Sequence, residues 1–207
     1  TKKLVERLTT RYQAANGEQR RFLVVSCDHA GCGYSEGRRC FVDGPAVMTA
    51  TMRRCVQTAL SQLVSMGLTS PPPWFLLGHS MSGGLSLLLS HQLQQEQAAS
   101  SSPTSLEVPS FSGCITLAPL TSMSIPPAPI CTILRMIAFI FPYHGMPSWI
   151  SGEMDNREVW DNEVAVAWHM TRDVWGVPGG LGWARAMRWG SAAGLVDISL
   201  AVQVLLV

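Results

Sequence analysis

The sequence predicts an α/β fold in which a mostly parallel sheet is flanked by helices and carries an inserted helical cap. Short, continuous apolar runs near 22–27, 74–77 and 113–117 are typical of strands that are buried on both faces. Helical periodicity separates these runs, and strands that alternate with helices form parallel sheets. Between about 121 and 190 the alternation stops, and prolines, methionines and tryptophans become frequent. We interpret that stretch as the cap.

The composition favours one globular domain with a sizeable core. The chain has 207 residues, of which 47% are hydrophobic and 14% are charged, and its net charge is +1. So small a charge gives no indication of a nucleic-acid partner. The six cysteines form no C-x-x-C pair and several lie in apolar runs, which favours buried free thiols in a reducing compartment such as the cytoplasm over disulfides or a metal site. No apolar run is long enough to predict a transmembrane helix.

The remaining elements follow in chain order. Helical spacing predicts an amphipathic helix over 4–12 and a second helix from Pro45 to about residue 66. A further helix follows the strand at the middle of the chain, and the Gln-, Ala- and Ser-rich stretch 92–109 is predicted to be a solvated insertion. The glycines of 190–194 indicate a flexible loop, and the apolar run 200–207 indicates a last strand.

These predictions divide the chain into three parts. Residues 1–120 form the core, residues 121–190 form the cap, and residues 191–207 return to the core sheet as its last strand. The chain begins at Thr1, without Met and without a secretory signal pattern, so we expect that it starts within a longer protein.

The central feature is a turn between the strand at 74–77 and the helix that follows it. The turn consists mostly of small and polar residues: Gly78, His79, Ser80, Met81, Ser82 and Gly83. A serine at such a turn presents its hydroxyl at the end of the strand, beside the backbone N–H of the next residue. Acyl transfer needs this pair, because the hydroxyl attacks while the N–H stabilises the developing oxyanion. The pattern therefore predicts Ser80 as a nucleophile.

Two alternatives to this interpretation stay open. Ser82 stands where the G-x-S-x-G pattern has its last glycine, so the match is imperfect. In one alternative the turn is structural and has no catalytic role. In the other the register is shifted and Ser82 is the nucleophile. We prefer Ser80, because the other register leaves Gly78 and His79 too far ahead of the turn. Ser80 is then expected to have a strained backbone with positive φ, and Ser82 is expected to lie in the first helical turn.

Three motifs together resemble the monoacylglycerol lipases. Residues 27–37 are similar to the D-x-x-G-x-G-x-S-E-G loop of that family, and residues 78–84 are similar to its G-H-S-M-G-G turn. Residues 115–119 resemble the family's next strand, which follows the helix after this turn. The chain is thus identified as similar to lysophospholipase-like, or serine aminopeptidase S33-like, α/β-hydrolases, and the resemblance implies a partial α/β-hydrolase fold.

The resemblance also implies roles for particular residues. Ser80 would be the nucleophile, the N–H of Met81 would be an oxyanion donor, and His79 would flank the nucleophile without acting as the base. Asp28 would be structural, and the apolar segment 130–141 would be a lid that contacts acyl chains or a bilayer surface. The family cleaves lipid esters without a metal or a cofactor. It is expected in the cytoplasm, including peripherally at membranes or lipid droplets.

The chain departs from the family at both ends. The upstream His-Gly motif that supplies a second oxyanion donor in the family is not in the sequence. The family uses a Ser-Asp-His triad, and its Asp and His are expected beyond the last strand. A serine without a base is a poor nucleophile, so we expect little hydrolysis by the 207-residue chain itself. The histidines at 29, 91, 144 and 169 are each expected to be packed or solvated, although His29 lies in the loop near the strand ends and could approach them. Asp197 lies at the wrong end of the last strand.

Three functions fit these observations. The first is a serine hydrolase of lipid esters, the second is an inactive fragment or pseudoenzyme that serves as a binding module, and the third is a peptidase of the S33 type. The apolar segment 130–141 favours lipid esters over peptides.

Overall fold

The computed structural model describes residues 22–32, 34–38, 41–67, 72–99, 111–121, 125–151 and 187–206, with scattered positions between 6 and 20 and at 163–164. The helices are α1 (Pro45–Ser65), α2 (Met81–Ala99), α3 (Ala128–Ile140), α4 (Ser148–Ser151) and α5 (Trp189–Leu205). The strands are β1 (Tyr12–Gln13), β2 (Gln19–Arg20), β3 (Trp74–His79) and β4 (Phe111–Leu117). The first two strands form a short antiparallel pair.

A β–α–β unit lies at the centre of the described fold. Strands β3 and β4 pair in parallel, with Phe75 opposite Gly113 and His79 opposite Leu117. Parallel strands cannot be joined by a tight hairpin, and here the connection contains α2, which packs against both strands. The parallel α/β prediction is therefore confirmed, and the carboxyl end of β3 leads directly into α2.

The core lies where α1, α2 and α5 meet. It consists of buried apolar side chains from these three helices: Met48, Leu85, Leu88, Ile198 and Val202. Burying a side chain of this size stabilises the fold by about 1.5–3 kcal/mol. Helix α2 is thus held by strands on one side and by helices on the other, which gives the turn at its start a rigid support.

The prediction of a last strand over 200–207 was wrong, because α5 runs from Trp189 to Leu205. The apolar run has the composition of a strand, but Ile198 and Val202 are one helical turn apart and are both fully buried in the core. Asp197 therefore lies inside a helix and not ahead of a strand over 200–206.

The prediction of a flexible loop over 190–194 was also wrong, since α5 has already begun there. A Cβ atom on Gly194 would lie 2.7 Å from the carbonyl oxygen of Val42, and one on Gly190 would lie 2.8 Å from that of Pro142. These glycines therefore allow α5 to pack closely against the backbone of neighbouring segments. Close packing, and not flexibility, explains why small residues cluster at 190–194.

The segment 22–27 forms neither a strand nor a helix, so the prediction of a doubly buried strand there was wrong. Phe22, Leu23 and Val25 are 46%, 67% and 54% exposed. An apolar run indicates that a segment tends to be buried, but a strand also needs a neighbouring strand to pair with. None of the described strands pairs with residues 22–27. The helix predicted over 4–12 lies mostly outside the described residues.

The cap region contains the predicted helix, α3, which packs against α5. Arg135 of α3 forms an ion pair with Asp197 of α5. After α3 the backbone pairs with the start of α5, because the N–H of Gly190 donates to the carbonyl of Pro142 at 2.9 Å. Most of residues 152–186 lies outside the described part, so the bounds of the cap stay a prediction. No helix among the described residues is long and apolar enough to cross a membrane.

Candidate functional site

Ser80 lies at the sharp turn between the end of β3 and the start of α2. Its φ is 54°, one of two positive φ values for non-glycine residues in the described chain. Its N–H donates to the carbonyl of Leu117 at 3.0 Å, and its carbonyl accepts from the N–H groups of Gly83 and Leu120, both at 2.9 Å. Such a backbone costs about 1–3 kcal/mol and persists only when its surroundings fix it. The expected strain at Ser80 is confirmed.

Glycines allow the strand and the helix to cross closely at this turn. A Cβ atom on Gly78 would overlap the carbonyl oxygen of Ser82, and one on Gly83 would lie 2.9 Å from the Cα atom of Pro119. Ser82 is the second residue of α2, as the preferred register predicts. The register with Ser82 at the apex is therefore wrong, because Ser80 occupies the apex.

The turn places a hydroxyl next to a free backbone donor. The side chain of Ser80 is exposed, and its Oγ has no hydrogen-bond partner in the described part of the chain. Met81 is the first residue of α2, so its N–H has no acceptor within the helix and lies at the positive end of the helix dipole. This arrangement can attack a carbonyl carbon and stabilise the resulting oxyanion, provided that a base removes the serine proton. His79, the last residue of β3, is exposed beside the turn.

The glycine-rich loop at 28–37 closes on itself through Asp28. The Asp28 carboxylate accepts the N–H of Tyr34 at 3.1 Å, and its backbone carbonyl accepts the hydroxyl of Ser35 at 2.8 Å. The N–H of Gly31 donates to the carbonyl of Glu36 at 2.8 Å. Asp28 is thus engaged inside the loop, which agrees with the structural role that the resemblance implies.

His29 connects this loop to the turn. Its Nε2 lies 3.3 Å from the Oγ of Ser82, and its Nδ1 is buried without a hydrogen-bond partner in the structure as described. Burial lowers the pKa of His29, while the charge of Asp28 acts in the opposite direction. The imidazole is therefore neutral at pH 7. The expectation that His29 approaches the strand ends is met, but its partner is Ser82 and not Ser80.

The other histidines lie elsewhere. His91 is exposed on α2, where its Nε2 lies 2.8 Å from the amide nitrogen of Gln95. His144 packs edge-on against Phe141, with ring centroids 5.3 Å apart. His169 lies outside the described residues. No histidine that the structure describes is therefore hydrogen-bonded to Ser80.

Two contacts were missed by reasoning from the sequence. One is the contact between His29 and Ser82, for which the serine in place of a glycine was the available signal. The other joins the end of the loop to the cap: the guanidinium carbon of Arg38 lies 3.4 Å from the ring centroid of Tyr143, and the ring of Phe41 lies 5.1 Å from it. Nothing in the sequence signals a contact between residues so far apart.

None of the described cysteines forms a disulfide, but the prediction that the thiols are buried holds for Cys131 and is wrong for Cys27, which is exposed. The other three described cysteines, Cys32, Cys55 and Cys114, are partly buried. Within the described residues, no group of three or more His, Cys, Asp or Glu side chains is placed to hold a metal ion.

The fold and the turn define the class of protein. The chain superimposes on the crystal structure of Paleococcus ferrophilus monoacylglycerol lipase with a TM-score of 0.54 and 14% identity, over 84% of this chain and 54% of that one. At that identity the likeness shows the fold alone, which is an α/β-hydrolase fold.

Sequence comparison identifies the family. The family described as serine aminopeptidase, S33, matches residues 10–175, and the chain belongs to this family. The monoglyceride lipase of Rattus norvegicus is 32% identical over 122 residues, which are 58% of this chain and 34% of the lipase. The chain therefore spans about a third of the length of this relative and about half of the solved structure. The resemblance to monoacylglycerol lipases is confirmed.

Proposed function

We propose that this chain is the nucleophile-bearing part of a serine hydrolase that cleaves carboxylic esters of lipids, with monoacylglycerol-like molecules as substrates. The observation that carries the proposal is the geometry of Ser80. Its positive φ at a strand-to-helix turn, next to the free N–H of Met81, occurs in a member of a family of serine hydrolases. A backbone strained at one exposed serine is typical of a reactive site.

In the proposed reaction, the Oγ of Ser80 attacks the carbonyl carbon of the ester. A base takes the serine proton as the new C–O bond forms, and the N–H of Met81 donates a hydrogen bond to the oxygen that becomes negative. The ester C–O bond then breaks, the leaving oxygen takes the proton back from the base and departs as the alcohol, and an acyl-serine remains. Water then hydrolyses the acyl-serine. We assign no metal, cofactor or nucleic acid to this chemistry.

The reaction requires a base that the described part of the chain does not supply to Ser80. Because the chain spans about a third of its relative, we propose that the histidine and its carboxylate partner belong to residues of a longer protein. General base catalysis contributes roughly a hundredfold to ten-thousandfold. We therefore expect turnover from the longer protein and very little from the 207-residue chain.

The exposed apolar face of α3 supports a lipid substrate. Five large apolar side chains of this helix are exposed: Ile130, Ile133, Met136, Phe139 and Ile140. Phe139 is 89% exposed, although burying a phenylalanine side chain away from water is energetically favourable. We propose that this face contacts acyl chains or a membrane surface, and that the protein works in the cytoplasm or peripherally at membranes or lipid droplets.

A non-catalytic binding module is the second candidate. The observation that favours it is that the described histidines leave Ser80 without a base. A peptidase of the S33 type is the third candidate, and the apolar face of α3 argues for lipid esters over peptides.

The test is fluorophosphonate labelling combined with turnover of a nitrophenyl ester. The 207-residue chain, a longer reading frame that contains it and the Ser80→Ala variant of each are compared. Ser61→Ala is the matched control, because Ser61 is exposed on α1 and its hydroxyl bonds within that helix. We expect labelling and turnover of the longer protein, lost in Ser80→Ala and kept in Ser61→Ala. A longer protein that neither reacts with the probe nor turns over ester would favour the binding module.

A further inference from the structure

The glycine-rich loop has one attachment at each end. His29, at its start, reaches Ser82 in the first turn of α2, two residues after the proposed nucleophile. Arg38, beyond its end, lies over the ring of Tyr143 at the base of the cap. Between these points the loop is held together by its own hydrogen bonds around Asp28. The loop therefore links the turn of Ser80 to the cap.

The proton on His29 can be assigned from the environment of its ring. Nδ1 is buried and has no partner among the described residues. If Ser82 donated to Nε2, the neutral ring would carry its proton on Nδ1 as a buried donor without an acceptor. Buried donors of that kind are rarer than unsatisfied acceptors. Nε2–H is therefore the donor and the Oγ of Ser82 is the acceptor, at 3.3 Å.

We propose that His29 and Ser82 form a polar latch that holds the glycine-rich loop against the nucleophile turn, and that both are positioning residues of the site. The proposal rests on the proposed function only where it calls Ser80 a nucleophile, because the latch itself is a statement about the loop. Ser82 is the residue by which this chain departs from the glycine of the pattern, and glycine has no side chain that accepts a hydrogen bond.

Protonation opens the latch. A charged imidazole has two N–H donors, and the described residues offer an acceptor to only one of them. The charged group whose field acts on His29 is Asp28, whose carboxylate already accepts from Tyr34, and α2 contributes the uncharged Ser82. Burial disfavours the cation, so the protonated ring is expected to turn into water and release the loop.

The test is amide hydrogen exchange in the loop of the 207-residue chain, followed at the N–H groups of Gly31 and Tyr34. At pH 7.5 the Ser82→Ala variant is expected to exchange roughly two- to tenfold faster than the wild type, which is the effect of one neutral hydrogen bond. Ser86→Ala is the matched control, since the hydroxyl of Ser86 donates within α2 to the carbonyl of Ser82 and forms no hydrogen bond with the described part of the loop. It is expected to exchange like the wild type.

Two further variants separate a latch from a general loss of structure. His29→Gln keeps an N–H donor that does not titrate, so it is expected to keep loop protection at pH 7.5 and to show no extra exchange at pH 5.5 once the intrinsic pH dependence is removed. His29→Phe keeps an aromatic ring without a donor and is expected to behave like Ser82→Ala.

The outcomes distinguish the latch from the proposed function. Exchange in Ser82→Ala equal to that of the wild type, or an acid response that persists in His29→Gln, overturns the latch. If hydrogen exchange in the loop follows the expected pattern but the longer protein fails to react at Ser80, the latch is supported and the proposed hydrolase function is contradicted.

Discussion

The nucleophile turn and the C-terminal helix α5 show two ways in which a sequence determines structure. At the turn, Gly78, Ser80 and Gly83 lie within a few residues of one another, and the contacts that restrict them come from β3, α2 and the residues just after β4. In α5, Ile198 and Val202 meet side chains of α1 and α2 that are about a hundred residues or more away along the chain. The turn could be predicted from its local pattern, whereas α5 was predicted to be a strand.

The difference teaches where sequence patterns are reliable. The backbone that excludes a side chain at Gly78 belongs to Ser82, four residues away, so this part of the turn is visible in a short motif. Burial in a core depends on the whole fold, so an apolar run such as 200–207 predicts burial without fixing the type of element.

Removing the side chain of Ile198 should have the largest effect on stability. Ile198 of α5 is fully buried in the core that α5 forms with α1 and α2. Truncating such a residue costs about 2–5 kcal/mol. The free energy of unfolding of Ile198→Ala is measured by urea denaturation. Phe139→Ser in α3 is the comparison, and it should change stability by less than about 0.5 kcal/mol, because that side chain is 89% exposed. Equal effects of the two changes would contradict the assignment of α5 to the core.

Adding one methyl group at the turn should come next. A Cβ atom on Gly78 would overlap the backbone of Ser82, and overpacking of this kind costs about 1–3 kcal/mol. Gly44→Ala is the matched control, since no atom lies within 4 Å of the added Cβ and Gly44 has no positive φ. Denaturation of both variants gives the comparison. If Gly78→Ala unfolds like Gly44→Ala, the close crossing of β3 and α2 is wrong.

Relief of strain at Ser80 should raise stability. Glycine adopts positive φ without a steric cost, whereas alanine and serine do not. Ser80→Gly is therefore expected to be more stable than Ser80→Ala by about 1 kcal/mol, although both lack the hydroxyl. The two melting temperatures are compared at the same pH. A less stable glycine variant would mean that the φ of 54° carries no strain.

Residues of the turn and of the cap show how far the sequence leads. Ser80 and Gly78 could be placed because each has one steric role that its own neighbours define. The acceptor role of Ser82 could not be predicted, since it depends on the position of His29, which is 53 residues earlier in the chain. The pairing of Arg38 with Tyr143 depends on where the cap folds back onto the core, which a chain-local pattern does not encode.

The contact between the loop and the cap should contribute less than the packing of the core. Arg38 lies over the ring of Tyr143, which is partly exposed, and a cation–π contact at such a site is worth about 0.5–1 kcal/mol. Tyr143→Leu removes the ring and should lower the free energy of unfolding by about that amount. Tyr143→Phe keeps the ring and should stay close to the wild type. A phenylalanine variant as unstable as the leucine variant would assign the effect to the hydroxyl.

The smallest effect should be the acid sensitivity that His29 gives to the fold. Burial lowers its pKa below the ordinary value of 6.5, so the unfolded chain binds a proton in a pH range where the folded chain does not. The stabilisation is therefore complete above pH 6.5 and is lost as the pH falls through the range between 6.5 and the lowered value. The His29→Gln variant has no proton to bind, so it should lose less stability than the wild type between pH 7.5 and 5. Urea denaturation at both pH values measures the difference, and parallel losses in the two proteins would show that His29 titrates as it does in the unfolded chain.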